Sequence, residues 1–198
     1  MERAELILYA TPTGQLADQC ARYFRDARRL GPTEAQTYPP HCSLTGFFRR
    51  RPGAIAAATA ELVTTLAAHG IGAEGRVEAD EVHLDGVLTR GDWVGIGLRS
   101  ARLERITADF AAVHRHDPAA GDDPIRLKSW LHLSLAYGEV LPAGPPPPTA
   151  GEPLPSVEPY RRLAATLIDP TLRTDWEVSL WQRHADGRWQ RLCPEGRV

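Results

Sequence analysis

The sequence contains no asparagine and a single lysine, Lys128; every other basic residue is arginine. This skew reflects GC-rich codon usage and by itself assigns no function. Arginine does suit forked contacts to phosphate, but composition alone does not establish that use. Cysteine is scarce as well. Cys20, Cys42 and Cys193 lie far apart and form no CxxC pair, so neither a zinc ribbon nor a disulfide framework is indicated. Long apolar runs are missing. The first run, Leu6-Ile7-Leu8-Tyr9, is too short for a signal peptide or a membrane span, so a cytoplasmic, reduced protein with no membrane partner is expected. There is no excess of positive charge either. A formal net charge of −2 provides no global field for non-specific nucleic-acid binding, so any phosphate recognition must be local. Neither a phosphate-binding glycine loop nor a dinucleotide fingerprint occurs, and no cofactor is expected.

The chain has 198 residues, 42% apolar and 24% charged. These proportions build a sizeable core in one domain, or in two small lobes that share a core. Leu6 to Tyr9 reads as a first strand. Gln15 to about Leu30 reads as a helix, with Leu16, Cys20, Tyr23, Phe24 and Ala27 at helical spacing and Gly31-Pro32 as its stop. Tyr38-Pro39-Pro40 is extended, because residues before proline avoid the helical region. It leads into a strand over His41 to Phe48 and a loop over Arg49 to Gly53. Ala54 to His69 reads as a helix with Leu62, Val63 and Leu66 as its stripe. Strands follow over Val77 to Leu84 and Trp93 to Leu98, with a turn near Thr89 to Asp92. A helix over Ala101 to His114 directs Leu103, Ile106, Phe110 and Val113 inward. Asp117 to Asp123 is a loop, and Ser129 to Tyr137 is a strongly apolar strand. Residues 142–155 are a proline-rich surface connector. A short helix over Tyr160 to Ile168 precedes two strands flanking the hairpin signal Asp186-Gly187. Hairpins mixed with helices predict an α+β fold on antiparallel sheets rather than a doubly wound one.

Two segments resemble each other: Pro40-His41-Cys42-Ser43-Leu44-Thr45, and Leu131-His132-Leu133-Ser134-Leu135-Ala136. Alternate side chains of a strand share a face. His41, Ser43 and Thr45 therefore point one way and Cys42 and Leu44 the other. His132 and Ser134 likewise oppose Leu131, Leu133 and Leu135. A buried polar face of this kind is costly unless it lines a cleft or is hydrogen-bonded. If the two strands are neighbours, two imidazoles and several hydroxyls converge. An imidazole with a pKa of ~6.5 accepts or donates a proton near neutrality. One neutral histidine can deprotonate water, one protonated histidine can protonate a leaving ribose oxygen, and hydroxyls can donate to the non-bridging phosphoryl oxygens. One His-x-Ser means little; two, in the two halves of the chain, point to phosphodiester chemistry without a metal.

On these motifs the chain resembles the two-histidine (2H) phosphoesterase superfamily. Tyr137-Gly138 directly after the second motif is similar to the cyclic phosphodiesterase branch, which is related to the 2′-5′ RNA ligase-like enzymes. The resemblance implies one domain over 1–198 with two interleaved, pseudo-symmetric lobes, antiparallel sheets with flanking helices, and a central cleft. It implies hydrolysis of a 2′,3′-cyclic or 1″,2″-cyclic phosphate, borne by a small nucleotide or an RNA end. It also implies catalysis by His41 and His132, with Ser43 and Ser134 binding the phosphate. Tyr38, Thr45 and Tyr137 are candidates for lining the cleft. RNA-end processing, a specialised metabolite phosphoesterase or a non-catalytic nucleotide-binding module are the alternatives. A monomer is expected.

Other residues were weighed against plainer roles. His114-Arg115-His116 with Asp117, Asp122 and Asp123 reads as a helix C-terminus and polar loop rather than a metal site, and no metal is expected. Arg49-Arg50-Arg51 reads as a solvated loop, with a phosphate-facing role as its alternative. Arg126 and Lys128 precede the second motif and can reach an anion at the cleft rim. Trp130 shares the face of His132 and can stack on a base. Cys42 points away from the histidines, so a thiol nucleophile is not favoured. Ser43 lacks the base and orienting acid that a covalent nucleophile needs.

Overall fold

A computed structural model describes residues 3–113, 122–138 and 156–193. The proline-rich segment 142–155 and the His114–Asp117 cluster lie outside the described residues.

Among the described residues the architecture is α+β, with four α-helices against one nine-stranded antiparallel sheet. The central strand β1 (Ala4–Pro12) pairs along its whole length with β8 (Trp176–Arg183). On its other side it meets two short strands, β2 (Cys42–Ser43) and β3 (Phe48–Arg50). The path continues from β2 to β7 (Leu131–Tyr137), β6 (Trp93–Arg99) and β5 (His83–Arg90). At the far end β4 (Arg76–Val77) pairs with β8, as does β9 (Trp189–Cys193). The two ends of this path, β4 and β5, are close in sequence. Val77 and His83 can be at most roughly 20 Å apart along six residues, whereas seven strands laid flat span roughly 29 Å. The sheet therefore curls, aided by the ordinary strand twist.

Its faces follow from the alternation of the strands. Leu6, Leu8 and Ala10 of β1, Val178 and Leu180 of β8, and Leu131 and Leu133 of β7 belong to one core. That core is covered by α1 (Gly14–Ala27), α2 (Ile55–Ala68), α3 (Ala101–Val113) and α4 (Glu158–Leu167). Leu16, Cys20 and Tyr23 of α1, Leu62 of α2 and Phe110 of α3 are fully buried within it. The other face of the sheet carries Ile7, Tyr9, His41, Ser43, His132 and Ser134. Between β8 and β9 the expected hairpin closes with Gly187 at φ +82° and its N–H donating to the His184 carbonyl, a left-handed conformation suited to glycine.

Several expectations need correction. The single strand expected over His41 to Phe48 is broken over residues 44–47, where Thr45 instead bridges to Leu127. The Arg49–Gly53 loop begins as strand β3, and Arg50 is buried. Arg49 holds Asp123 through two nitrogens, at 2.9 and 3.3 Å, and Arg50 donates to the Asp123 carbonyl. Arg49 and Arg50 therefore anchor Asp123, whereas Arg51 is exposed. The strand expected over Val77 to Leu84 splits into β4 and β5, which pair at opposite ends of the sheet. Val63 is 42% exposed because the buried stripe of α2 is Ala58, Leu62, Thr65 and Leu66. Val113 is 51% exposed, at the end of α3 where the α2–α3 groove opens to solvent.

Candidate active site

The two motifs meet through one register. Cys42 of β2 pairs with Leu133 of β7, antiparallel. Continuing that register by one residue on either side sets Ser43 across from His132 and His41 across from Ser134. Cys42 is fully buried in the core, and burial pushes its thiol pKa up to about 12. The parity of the first motif is therefore as expected, and Cys42 is turned away from the histidines.

Each imidazole is held in the same way. His41 Nδ1 lies 2.8 Å from the carbonyl oxygen of Pro39, and His132 Nδ1 lies 3.2 Å from that of Trp130. Both partners stand two residues upstream. A carbonyl only accepts, so Nδ1 carries the proton in both rings and Nε2 is the nitrogen left to exchange a proton. The local sequence explains the first anchor. Tyr38, placed before proline, is extended at φ −118° and ψ 155°, and Pro39, itself followed by Pro40, is restricted in the same way.

The surroundings of the two rings differ. Tyr9 lies against His41 with ring centroids 3.8 Å apart, and Tyr38 meets it edge-on at 5.7 Å. Tyr38 is itself held by a hydrogen bond from its hydroxyl to Glu34 at 2.8 Å and packs edge-on to Trp189. The pKa of His41 is lowered to about 4, chiefly by burial, with the Pro39 carbonyl opposing the shift and charge on His132 adding to it. His132 stacks on Trp130 at 4.3 Å, and the Arg90 guanidinium lies 3.7 Å over the Trp130 ring. Its pKa is also lowered, first by burial and then by the positive charges of Lys128 and Arg90, against the Trp130 carbonyl. Both imidazoles are therefore neutral at pH 7.

Ser134 Oγ accepts two hydrogen bonds, from Trp93 Nε1 at 3.0 Å and from the Tyr137 hydroxyl at 2.9 Å. Strict alternation would place Tyr137 with the leucines. A bulge on β7 prevents this: Ser134 pairs with Gly95 and Ala136 with Val94, leaving Leu135 as the extra residue. The bulge turns Ala136 into the core and Tyr137 toward Ser134. Ser43 makes no side-chain hydrogen bond among the described residues, so its hydroxyl is free for a ligand.

A cavity of about 180 Å³ opens here, walled by His41, Ser43, Ser134, Tyr38, Tyr137 and Lys128, with Tyr9, Glu34, Gly46 and Phe47 completing it. His132 does not line this cavity; it stands next to it on β7, across from Ser43 by the register of Cys42 and Leu133. Lys128 reaches the cavity because residues 126–128 dock on 44–46: Gly46 N–H donates to the Arg126 carbonyl and Lys128 N–H to the Leu44 carbonyl. The Arg126 side chain lies over Gly46, a cavity-lining residue, but does not itself line the cavity. Besides His132 and Arg126, two further candidates, Thr45 and Trp130, do not line the cavity. Thr45 is fully buried and its hydroxyl accepts the Leu8 N–H at 3.1 Å, so its role is structural. The Trp130 ring is engaged by His132, Arg90 and Trp93 and is not a free base platform.

Sequence reasoning missed Tyr9, Glu34, Phe47, Arg90, Trp93 and Trp189. Tyr9 was legible in principle, since it alternates with Leu6 and Leu8 and so belongs on the motif face. The others reach the site through pairings and turns that no local pattern reveals. Among the described residues, no three of His, Cys, Asp and Glu come together as metal ligands, and no helix is long and apolar enough to cross a membrane. No protein-family model and no curated protein matches this chain.

Proposed function

We propose that this protein is a phosphodiesterase of the two-histidine type that opens a cyclic phosphate of the 2′,3′- or 1″,2″-cyclic nucleotide kind by paired general acid and base catalysis. The observation that carries this reading is the matched anchoring of His41 and His132. Both are pinned at Nδ1 by the carbonyl two residues upstream, and each stands across β2–β7 from the other motif's serine. This repeated arrangement supports a bilobal, pseudo-symmetric fold of the 2H kind.

In the proposed reaction one neutral Nε2 removes a proton from water as its oxygen attacks phosphorus. The other histidine, protonated, donates its Nε2 proton to the ribose oxygen as the phosphorus–oxygen bond breaks. The product is a phosphomonoester with a free hydroxyl. The two imidazoles end with their protonation states exchanged and reset through solvent. The pair titrates as a unit, and bound phosphate anion favours its singly protonated form, against the burial that otherwise favours neutral rings. Ser43 and Ser134 donate to non-bridging oxygens, where each such donor is worth ~10²–10³-fold in rate. Lys128, without a carboxylate partner among the described residues, adds positive charge beside the anion.

The cavity, about 180 Å³, falls below the ~300–1,000 Å³ of sites that enclose a whole ligand. It suits the cyclic phosphate and part of its sugar. The arginines beyond Phe47 are largely neutralised, with Arg183 bound to Glu5 and Arg49 to Asp123. This favours a nucleotide-sized substrate over a long RNA track.

The test is turnover of 2′,3′-cyclic mononucleotides in excess chelator by wild type, His41→Ala and His132→Ala. Chelator-resistant hydrolysis that falls more than ~10²-fold in each variant is expected. Activity that survives both substitutions sinks the mechanism, and a folded wild type with no turnover removes the nucleotide assignment.

A further inference from the structure

Trp93 opens β6, is 7% exposed and does not line the cavity, yet it touches both functional side chains of the second motif. Its indole N–H donates to Ser134 Oγ at 3.0 Å. Its ring stands edge-on to His132 at 5.1 Å, with the planes 85° apart, and meets Trp130 at 5.0 Å.

Strand register alone would not bring it there. Trp93 pairs with Tyr137, and it is Gly95 that pairs with Ser134. To reach Ser134 the indole must fold back along its own strand, across residue 95. A Cβ at Gly95 would collide with the Trp93 ring and with the Leu133 carbonyl oxygen. Glycine at this position leaves the space the indole occupies. The bulge at Leu135 delivers the second donor, Tyr137, to the same oxygen.

The hydrogen-bond count then constrains Ser134. A serine hydroxyl has one proton and two lone pairs. Trp93 always occupies one lone pair; with the Tyr137 hydroxyl donating to the other, the Ser134 proton is left for the cavity that Ser134 lines. An indole N–H donates and never accepts, so this half of the arrangement cannot invert. We propose that Trp93 is a positioning residue: it aims the Ser134 proton at the phosphoryl oxygen and sets the ring plane of His132 by edge contact. Its chemical role rests on the phosphodiesterase reading, whereas the positioning itself is readable without turnover.

The experiment compares wild type, Trp93→Phe, Ser134→Ala and the double variant on adenosine 2′,3′-cyclic phosphate. Phenylalanine keeps an aromatic edge against His132 and removes the N–H. Trp93→Phe is expected to lower kcat ~10-fold with KM changed less than ~3-fold, the signature of an interaction realised in the transition state. The double variant is expected to be no slower than Ser134→Ala, because Trp93 acts through Ser134. An unchanged kcat in Trp93→Phe, or losses that multiply in the double variant, overturns the inference. A wild type without turnover fails the phosphodiesterase reading for this substrate, and the inference is then judged on the Trp93 indole N–H signal by NMR. In Ser134→Ala that signal is expected to shift and to lose its protection from solvent exchange; a signal left unmoved overturns the positioning.

Discussion

Ser43 stands across from His132, and His41 across from Ser134, because Cys42 and Leu133 form the pair that joins β2 to β7. Each imidazole is therefore matched with the other motif's hydroxyl. A shift of this register by one residue would turn one motif into the core, since strand side chains alternate faces. The apolar residues Cys42, Leu44, Leu131 and Leu133, all buried, hold the polar residues in place.

The carbonyl anchors predict a tautomer. Both histidines, in their neutral form, should carry the proton on Nδ1, because Pro39 and Trp130 offer only acceptors. Nitrogen-15 NMR of the ring at pH 8 reads this directly. Dominance of the Nε2–H form in either ring would contradict the geometry.

Stability should fall on the acid side of neutrality. The folded pKa values of His41 and His132 lie below the ordinary 6.5, that of His41 at about 4. The unfolded chain therefore binds more protons as pH drops through 6.5, and the stability present above that pH is lost as pH falls toward 4. The slope is at most about 1.4 kcal/mol per pH unit for each histidine. Denaturant unfolding across this range should show a shallower slope for His41→Gln than for wild type. Equal slopes would mean that His41 titrates normally in the folded protein.

Lys128 carries a two-part expectation. Lys128→Met removes a positive charge that lowers the pKa of His132, so that pKa should rise toward its ordinary value in an NMR titration. The same substitution should raise KM for a cyclic phosphate on the order of 3- to 10-fold and weaken its dependence on salt, as expected for loss of one partly screened charge. A KM and a His132 titration both equal to wild type would remove Lys128 from the site.

Thr45 is predicted to act on stability. Thr45→Val keeps its shape but leaves the buried Leu8 N–H without its acceptor. The expected loss is ~1–3 kcal/mol in denaturant unfolding, the cost of an unpaired buried donor. A loss below ~0.5 kcal/mol would show that another acceptor satisfies Leu8.

Much of this protein was determined by its sequence alone. The alternation around His41 and His132 determined which side chains enter the core and which leave it, because a strand has a period of two and burial penalises an unpaired polar group. The helical spacing of Leu16, Cys20, Tyr23 and Phe24, and the Asp186-Gly187 turn, were legible for the same reason: each depends on neighbours within one or two turns of chain. Tertiary structure decided what depends on residues distant in sequence. Pairing of β3 with β1 buries Arg50, and Asp123 engages both Arg50 and the exposed Arg49, so neither is an unpartnered cation. The bulge opposite Val94 and Gly95 redirects Tyr137, and Gly95 lets Trp93 fold back onto Ser134. A side chain's period is local and can be read from a sequence; a strand's partner, its register and its bulges are set by contacts between residues many positions apart, and only the folded chain brings those together.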